Sequence, residues 1–235
     1  MSTAPFPKPL LADLVALIDI VLDAINPDTA VYLNRNTVDS AYAGYVFSLL
    51  LSAVELVADA NSVGLRSAQA IQQQIPPSVF IIRGSPGALN SDAQDFGFAV
   101  FQYRGVGYEI HLGVQYRGSS GVLHEFDVSI LPEEDADECR LKNRAPGPAK
   151  ACALFECKCY SNSLGIELGR EFTGLKSDFT SVPMARLVSN SDSESVAQFL
   201  KKTQRPKLSV LLAPNNPTME QEFVFAVADE LRNSL

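Results

Sequence analysis

The run ALFECKCY at residues 153–160 sets Glu156 and Lys158 two positions apart in an otherwise apolar, strand-like stretch. Side chains alternate between the faces of a strand, so the two charges project together while Phe155, Cys157 and Cys159 project on the other side. A second strand-like run, VLHEFDVSIL, is broken by Asp127 in the same way. Here Glu125, Asp127 and Ser129 share one face, and Val122, His124, Phe126 and Val128 share the other. Charged groups are costly to bury unless paired. Taken alone, Glu156 with Lys158 reads equally well as an ion pair on an exposed strand, since same-face charges on strands commonly pair. With Asp127 on a neighbouring strand, the set suits a hard divalent cation, because Mg²⁺ prefers oxygen ligands and keeps waters for substrate and nucleophile. Such a cation polarises a phosphate, supplies a nucleophilic water and offsets charge on the leaving oxygen, which is the chemistry of phosphodiester hydrolysis.

Strands and helices must bring these residues together. PLLADLVALIDIVLDAI carries Leu10, Leu14, Leu17, Ile18, Val21, Leu22 and Ile25 at helical spacing and predicts an amphipathic helix over 8–26, ending before Asn26-Pro27. A second helix, capped near Asp39, is expected to run to about Asn61, with Ser48, Ser52, Glu55 and Asp59 as one polar stripe. SVFIIRG reads as a short strand and SPGALNSDAQD as a loop. FGFAVFQYRG, GYEIHLGVQYRG and VLHEFDVSILP then alternate, separated by glycine-containing turns at 105–107 and 118–121, and predict an antiparallel meander. A four-residue turn at 118–121 would set Asp127 against Leu112. An odd-length turn with a bulge instead sets it beside His111 or Gly113, and that register is expected.

Past the meander, PEEDADECRLKNRAPGPAK reads as a polar loop and LGIELGREFTGLKSDF as a helix. The remainder reads as strand ARLVSN, helix SVAQFLKKTQ, strand KLSVLLAP and a terminal helix EQEFVFAVADELRNSL. The expectation is one α/β domain over 1–235, a mixed central sheet flanked by helices, with no internal repeat.

Composition bounds the function classes. At 235 residues and 46% hydrophobic, the chain can bury a full core. YVFSLLLSAVELVADA is interrupted by Ser48, Ser52, Glu55 and Asp59, and Asp13 and Asp19 interrupt the apolar N-terminal run, so a membrane span and a signal peptide are not expected. Cytoplasmic location follows as an expectation. Four cysteines without CxxC spacing, and two histidines, point to buried reduced thiols rather than zinc. His111 and His124 read as packed or hydrogen-bonded side chains rather than bases. The formal net charge of −8 opposes a polyanion at long range, although Arg140, Lys142, Arg144, Lys150 and the KKTQRPK run offer local positive charge unless they are simply solvated. There is no dinucleotide-binding glycine loop, phosphate-binding Walker segment or G-x-S-x-G elbow.

An acidic helix, a meander carrying Asp127 and then Glu156-Cys157-Lys158 together resemble the PD-(D/E)XK nuclease superfamily, which has a restriction-endonuclease-like fold. The texture is most similar to the Mrr-like branch, through Gly107-Tyr108, GSSG before HEFDV, FECKCY, and Arg170-Glu171-Phe172-Thr173-Gly174. The likeness spans about 39–180, leaving the helix at 8–26 and the elements at 185–235 as elaborations. It implies that Asp127 and Glu156 ligate Mg²⁺ or Mn²⁺, that the Cys157 carbonyl is a backbone ligand, and that Lys158 orients or activates water. Glu55 would be the acidic residue contributed by the first core helix. Phe126 stands where the family name has proline. Arg117, Ser119, Arg170 and Lys176 are candidates for phosphate contacts, and Glu125 for an auxiliary metal or water contact. The activity implied is a metal-dependent endonuclease acting on DNA, with RNA left open, in restriction or defence. A homodimer or a recruiting protein partner would help an acidic chain reach its substrate. The alternative is a catalytically silent nuclease-like module that binds nucleic acid or serves assembly.

Overall fold

A computed structural model describes residues 8–69, 76–91, 95–203 and 207–235. Helix α1 (Leu11–Ile25) buries Leu14, Ile18 and Leu22, one per turn along a single stripe. Strand β1 (Ala30–Leu33) follows, then α2 (Val38–Glu55), whose Thr37 cap accepts the Ser40 N–H. Helix α2 is buried on most sides, and the expected polar stripe runs from interior to solvent: Ser48 is buried and donates to the Tyr45 carbonyl at 2.8 Å, whereas Glu55 is exposed. The helix stops at Glu55, short of Asn61. Asp59, just beyond it, accepts the N–H groups of Arg104 and Gly105 at 3.0 and 2.8 Å and so clamps a turn whose two residues both have positive φ.

Strands β2 (Gly64–Ser67), β4 (Gly97–Tyr103), β5 (Val106–Arg117) and β6 (Leu123–Pro132) form the antiparallel part of a seven-stranded sheet. Strand β7 (Ala153–Lys158) pairs antiparallel with β6. It then runs parallel to β8 (Met184–Ser189), which runs parallel to β9 (Lys207–Ser209). Helices α4 (Ile166–Asp178) and α5 (Glu194–Thr203) make the two crossovers, and α6 (Pro217–Ser234) packs on α2. The fold is α/β with a mixed central sheet flanked by helices. Strand β3 (Val79–Ile82) lies outside this sheet and pairs in parallel with β1.

Four elements depart from the sequence reading. Residues expected to be loop form α3 (Glu133–Leu141). Glu133, Glu134 and Asp135 lie in its first turn and Arg140 in its last, which complements the helix dipole, while Ala136 and Cys139 are buried beneath it. Strands β1 and β2 leave no signal in the sequence, because four residues give too short an alternation to stand out. The last strand is confined to Lys207–Ser209. Residues 1–7, 92–94 of the expected SPGALNSDAQD loop and 204–206 of the basic KKTQRPK run lie outside the described residues. All four cysteines are free thiols.

The β5–β6 hairpin has the odd register. Arg117 pairs with Leu123, leaving five residues in the turn, and the pairs Leu112↔Val128 and Val114↔Phe126 place Asp127 against Gly113. The ladder is interrupted at that point and Gly113 takes φ +58°. Leu112 and Val128 pack in the core shared with α1 and α2, whereas Val114 and Phe126 pack in a second core with Leu131, Leu154 and Phe179. The hairpin therefore turns over at the break. Phe126 and Val128 do not share a core as simple alternation predicts, and Ser129 is buried away from Glu125 and Asp127.

Asp178 closes the hairpin tip. Its carboxylate accepts from Ser119 Oγ, Ser120 N–H, Ser120 Oγ and His124 Nε2 at 2.6–2.8 Å. The Ser120 and Ser119 hydroxyls hold this carboxyl well below the usual range. A Cβ on Gly118 would come within 1.9 Å of Asp178 Oδ2. Gly118→Ala is therefore expected to displace Asp178 and destabilise the protein by about 1–3 kcal/mol, as overpacking typically does, read from the urea midpoint.

Candidate active site

Strands β6 and β7 pair at Val128↔Phe155, Ser129↔Leu154 and Ile130↔Ala153. The next position in that register sets Asp127 opposite Glu156. There a side chain replaces the backbone partner: Asp127 Oδ2 accepts the Cys157 N–H at 2.6 Å. The strands part at this point, and Lys158 Nζ donates to Glu156 Oε1 at 2.5 Å. Asp127, Glu156 and Lys158 thus reach the point where the sheet opens from two sides of the Cys157 backbone: Asp127 lines a cavity beside α2, Glu156 one against α4, and Lys158 faces both.

Burial pushes the Asp127 carboxyl up to about 6; the Cys157 amide and Lys158 pull it down, while Glu125 and Asp39 push it up. Burial and then the Asp127 charge push Glu156 up to about 7 against the pull of Lys158. Burial also raises Glu125, with Glu156 adding to it. Burial alone would lower Lys158, but Glu156 and Asp127 outweigh it, so Lys158 stays an ammonium ion.

Two cavities meet along Glu125 and Lys158. The smaller, about 360 Å³, is lined by Asp127, Cys157, Asp39, Arg35, Arg83 and Lys8. The larger, about 610 Å³, takes in Glu156 and lies against α4. Lys158 faces both.

Several expected site residues stand elsewhere. Glu55 sits at the far end of α2 from Asp127 and lines a separate cavity with Ala24, Asp59 and Val63. The α2 carboxylate beside Asp127 is Asp39, which the sequence offered only as a helix start. Lys176 is buried and donates to the carbonyls of Phe179 and Val182 at 2.6 and 2.7 Å, which takes it off the surface where phosphates bind. Ser119 is tied to Asp178, and Arg117 donates to the Gly121 carbonyl at 2.7 Å within the hairpin turn. Arg170 is exposed on α4. The basic loop cluster is neutralised: Arg140 pairs with Glu109 and Asp137, Lys142 and Arg144 with Glu138, and Lys150 with Asp135 and Glu138. His111 is buried against Glu109, and His124 contacts Asp178.

Arg83 and Arg35 supply positive charge that the sequence reading missed. The signal lay in RGSPG: a Cβ on Gly87 would meet the Arg83 guanidinium at 2.2 Å, and one on Gly84 would meet the Arg35 stem at 2.5 Å. Both glycines make room for an arginine. Gly87 N–H also donates to the Gly113 carbonyl at 2.9 Å, laying this loop along β5 beside the break.

Among the described residues no three histidine, cysteine, aspartate or glutamate side chains form a ready-made metal cage. The donors near the gap are oxygens, those of Asp127, Glu156 and the Cys157 carbonyl. The two carboxylates repel each other enough to raise the Glu156 pKa. That set fits a hard cation that keeps several waters. Both carboxyls lie above their ordinary values of 3.8 and 4.5, so the folded protein binds these protons more readily than the unfolded chain. Their stabilising contribution is complete at acid pH and is lost as pH rises through about 6 to 7. In EDTA, Tm is expected to fall between about pH 5 and about pH 8, and to fall less in Asp127→Asn. Mn²⁺ is expected to raise Tm more at about pH 8 than at about pH 5, because ligands must be deprotonated.

Comparison with protein-family models, with curated proteins and with solved structures gave no match. Among the described residues, no helix is long and apolar enough to cross a membrane.

Proposed function

We propose that the protein is a metal-dependent nuclease of the PD-(D/E)XK kind, hydrolysing phosphodiester bonds in DNA, in a restriction or defence setting. One observation carries this reading: Asp127 stands opposite Glu156 where β6 and β7 part, with the Asp127 carboxylate on the Cys157 amide at 2.6 Å and Lys158 next along β7 on Glu156. Asp127, Glu156 and the Cys157 carbonyl would hold Mg²⁺ or Mn²⁺, and that ion supplies the charge that polarises the phosphate and makes water a better nucleophile. Lys158, held as an ammonium ion by its bond to Glu156 and the nearby Asp127 charge, donates to the attacking water or to a phosphate oxygen. Arg35 lines the same cavity and neutralises a neighbouring phosphate, whereas the Arg83 guanidinium is turned to the Ala88 carbonyl and the Phe96 ring. With a net charge of −8 and the loop cations already paired, a second copy or a recruiting partner brings the chain to its substrate.

A second reading is favoured by the direct Lys158–Glu156 ion pair at 2.5 Å: a nuclease-like module in which this pair is structural. Purified protein incubated with plasmid DNA, linear DNA and RNA in EDTA, Mg²⁺ and Mn²⁺ separates the two. Metal-dependent cutting of DNA supports the nuclease, and cutting of RNA alone changes its substrate. Salt-sensitive binding with no cutting in either metal supports the module.

A further inference from the structure

The two cavities that meet at Lys158 differ in character. One is charged, with Lys8, Arg35 and Lys158 facing Asp39, Glu125 and Asp127. The other is walled by Leu123, Leu168, Phe172, Leu175 and Leu187, and its volume of about 610 Å³ lies within the roughly 300–1,000 Å³ of small-molecule sites. Leu168, Phe172 and Leu175 repeat along one face of α4. Gly174, on the same wall, leaves open space, with nothing within 4 Å of where its Cβ would lie. His124 on β6 is fixed at the rim by its 2.8 Å contact with Asp178, and Ser177 and Glu171 of α4 add polar groups. A nucleotide has the same two halves, an anionic phosphate and a flat, largely apolar base with polar edges. Beside a phosphate held at Lys158, the cavity on the α4 side matches the base. A base stacked in a duplex cannot enter such a pocket, whereas an unpaired or extruded one can, and it gains stacking and burial there.

We infer that the α4 cavity takes one unstacked nucleobase of the strand being cut, so that the substrate is single-stranded DNA or a duplex with an unpaired nucleotide at the cut. This inference rests on the nuclease reading for the position of the phosphate.

The test uses the full-length protein in EDTA and single-stranded oligonucleotides of about 12 nucleotides, within the roughly 4–16 of typical single-strand sites, with one abasic position walked along the strand. One abasic position is expected to weaken binding about tenfold, at the low end of what one stacked base contributes, and the matched perfect duplex is expected to bind at least about tenfold more weakly. Gly174→Trp fills the cavity; it is expected to bind the intact strand about tenfold more weakly and to lose sensitivity to the abasic position, whereas Gly174→Ala behaves as wild type. Equal affinity for every abasic strand overturns the inference, as does duplex binding as tight as single-strand binding. The abasic scan on the unaltered protein decides even if Gly174→Trp does not fold. Cleavage in Mn²⁺ without an abasic effect sinks the base pocket and leaves the nuclease. An abasic effect without cleavage in any metal sinks the nuclease and leaves the pocket.

Discussion

Lys158→Ala is expected to lower metal-dependent DNA cleavage by about 10²–10⁴-fold, the range set by removing a positioned proton donor or charge-stabilising group. Lys158 is the cation shared by Asp127 and Glu156, and it faces both cavities. Its loss removes the group that contacts water or phosphate and takes from both buried carboxylates the cation that holds their pKa values down, so these rise further. The metal-free variant should therefore be less stable than wild type at about pH 8 and close to it at about pH 5, where both carboxyls are protonated. Circular dichroism at the assay pH separates lost chemistry from lost fold. Lys158→Arg is expected not to restore full rate, because a planar guanidinium cannot reproduce the compact ammonium bonded to Glu156. A folded Lys158→Ala protein that cuts at the wild-type rate ends the proposed role.

The second large effect lies away from the gap. Arg140→Ala is expected to destabilise the protein by about 3–5 kcal/mol, the usual cost of leaving one partner of a buried ion pair uncompensated. Both Arg140 terminal nitrogens reach Glu109, at 2.9 and 2.5 Å, and the Glu109 side chain is only 1% exposed. Burial pushes the Glu109 carboxyl up, but its bonds to His111 and Arg140 win and hold it below the usual range. The fork also ties α3 to β5. Urea unfolding near neutral pH reads the loss, and Glu109→Gln combined with Arg140→Met should recover much of it, because no buried charge then remains. A change under about 1 kcal/mol for Arg140→Ala would show that water or α3 movement accommodates Glu109.

The meander, its odd register and the grouping of Asp127 with Glu156 and Lys158 were legible because alternation fixes faces and a charge interrupting an apolar strand is conspicuous. Local alternation does not report a break in which both strands turn over together, so Phe126 and Ser129 went to the wrong sides. Helix α3 escaped notice because its first turn is almost wholly charged and only Ala136 and Cys139 are buried. A polar stripe such as Ser48, Ser52 and Glu55 reveals a helix face but not which end of the helix approaches Asp127, where Asp39 stands. The arginines of the site were hidden for a related reason. Arg35 and Arg83 are set by tertiary packing over Gly84 and Gly87, and nothing in their local spacing distinguishes them from the loop cations that end in ion pairs. Lys176 illustrates the converse, a lysine on an amphipathic helix whose ammonium caps buried carbonyls rather than facing solvent.

The turned-over hairpin has a consequence for how the molecule comes apart. One continuous pair of strands sends Leu112 and Val128 into one core and Val114 and Phe126 into the other, so neither core can melt without pulling the shared ribbon from its partner. The two halves should open as one cooperative unit, and the amides on either side of Gly113 should be among the last to exchange with deuterium.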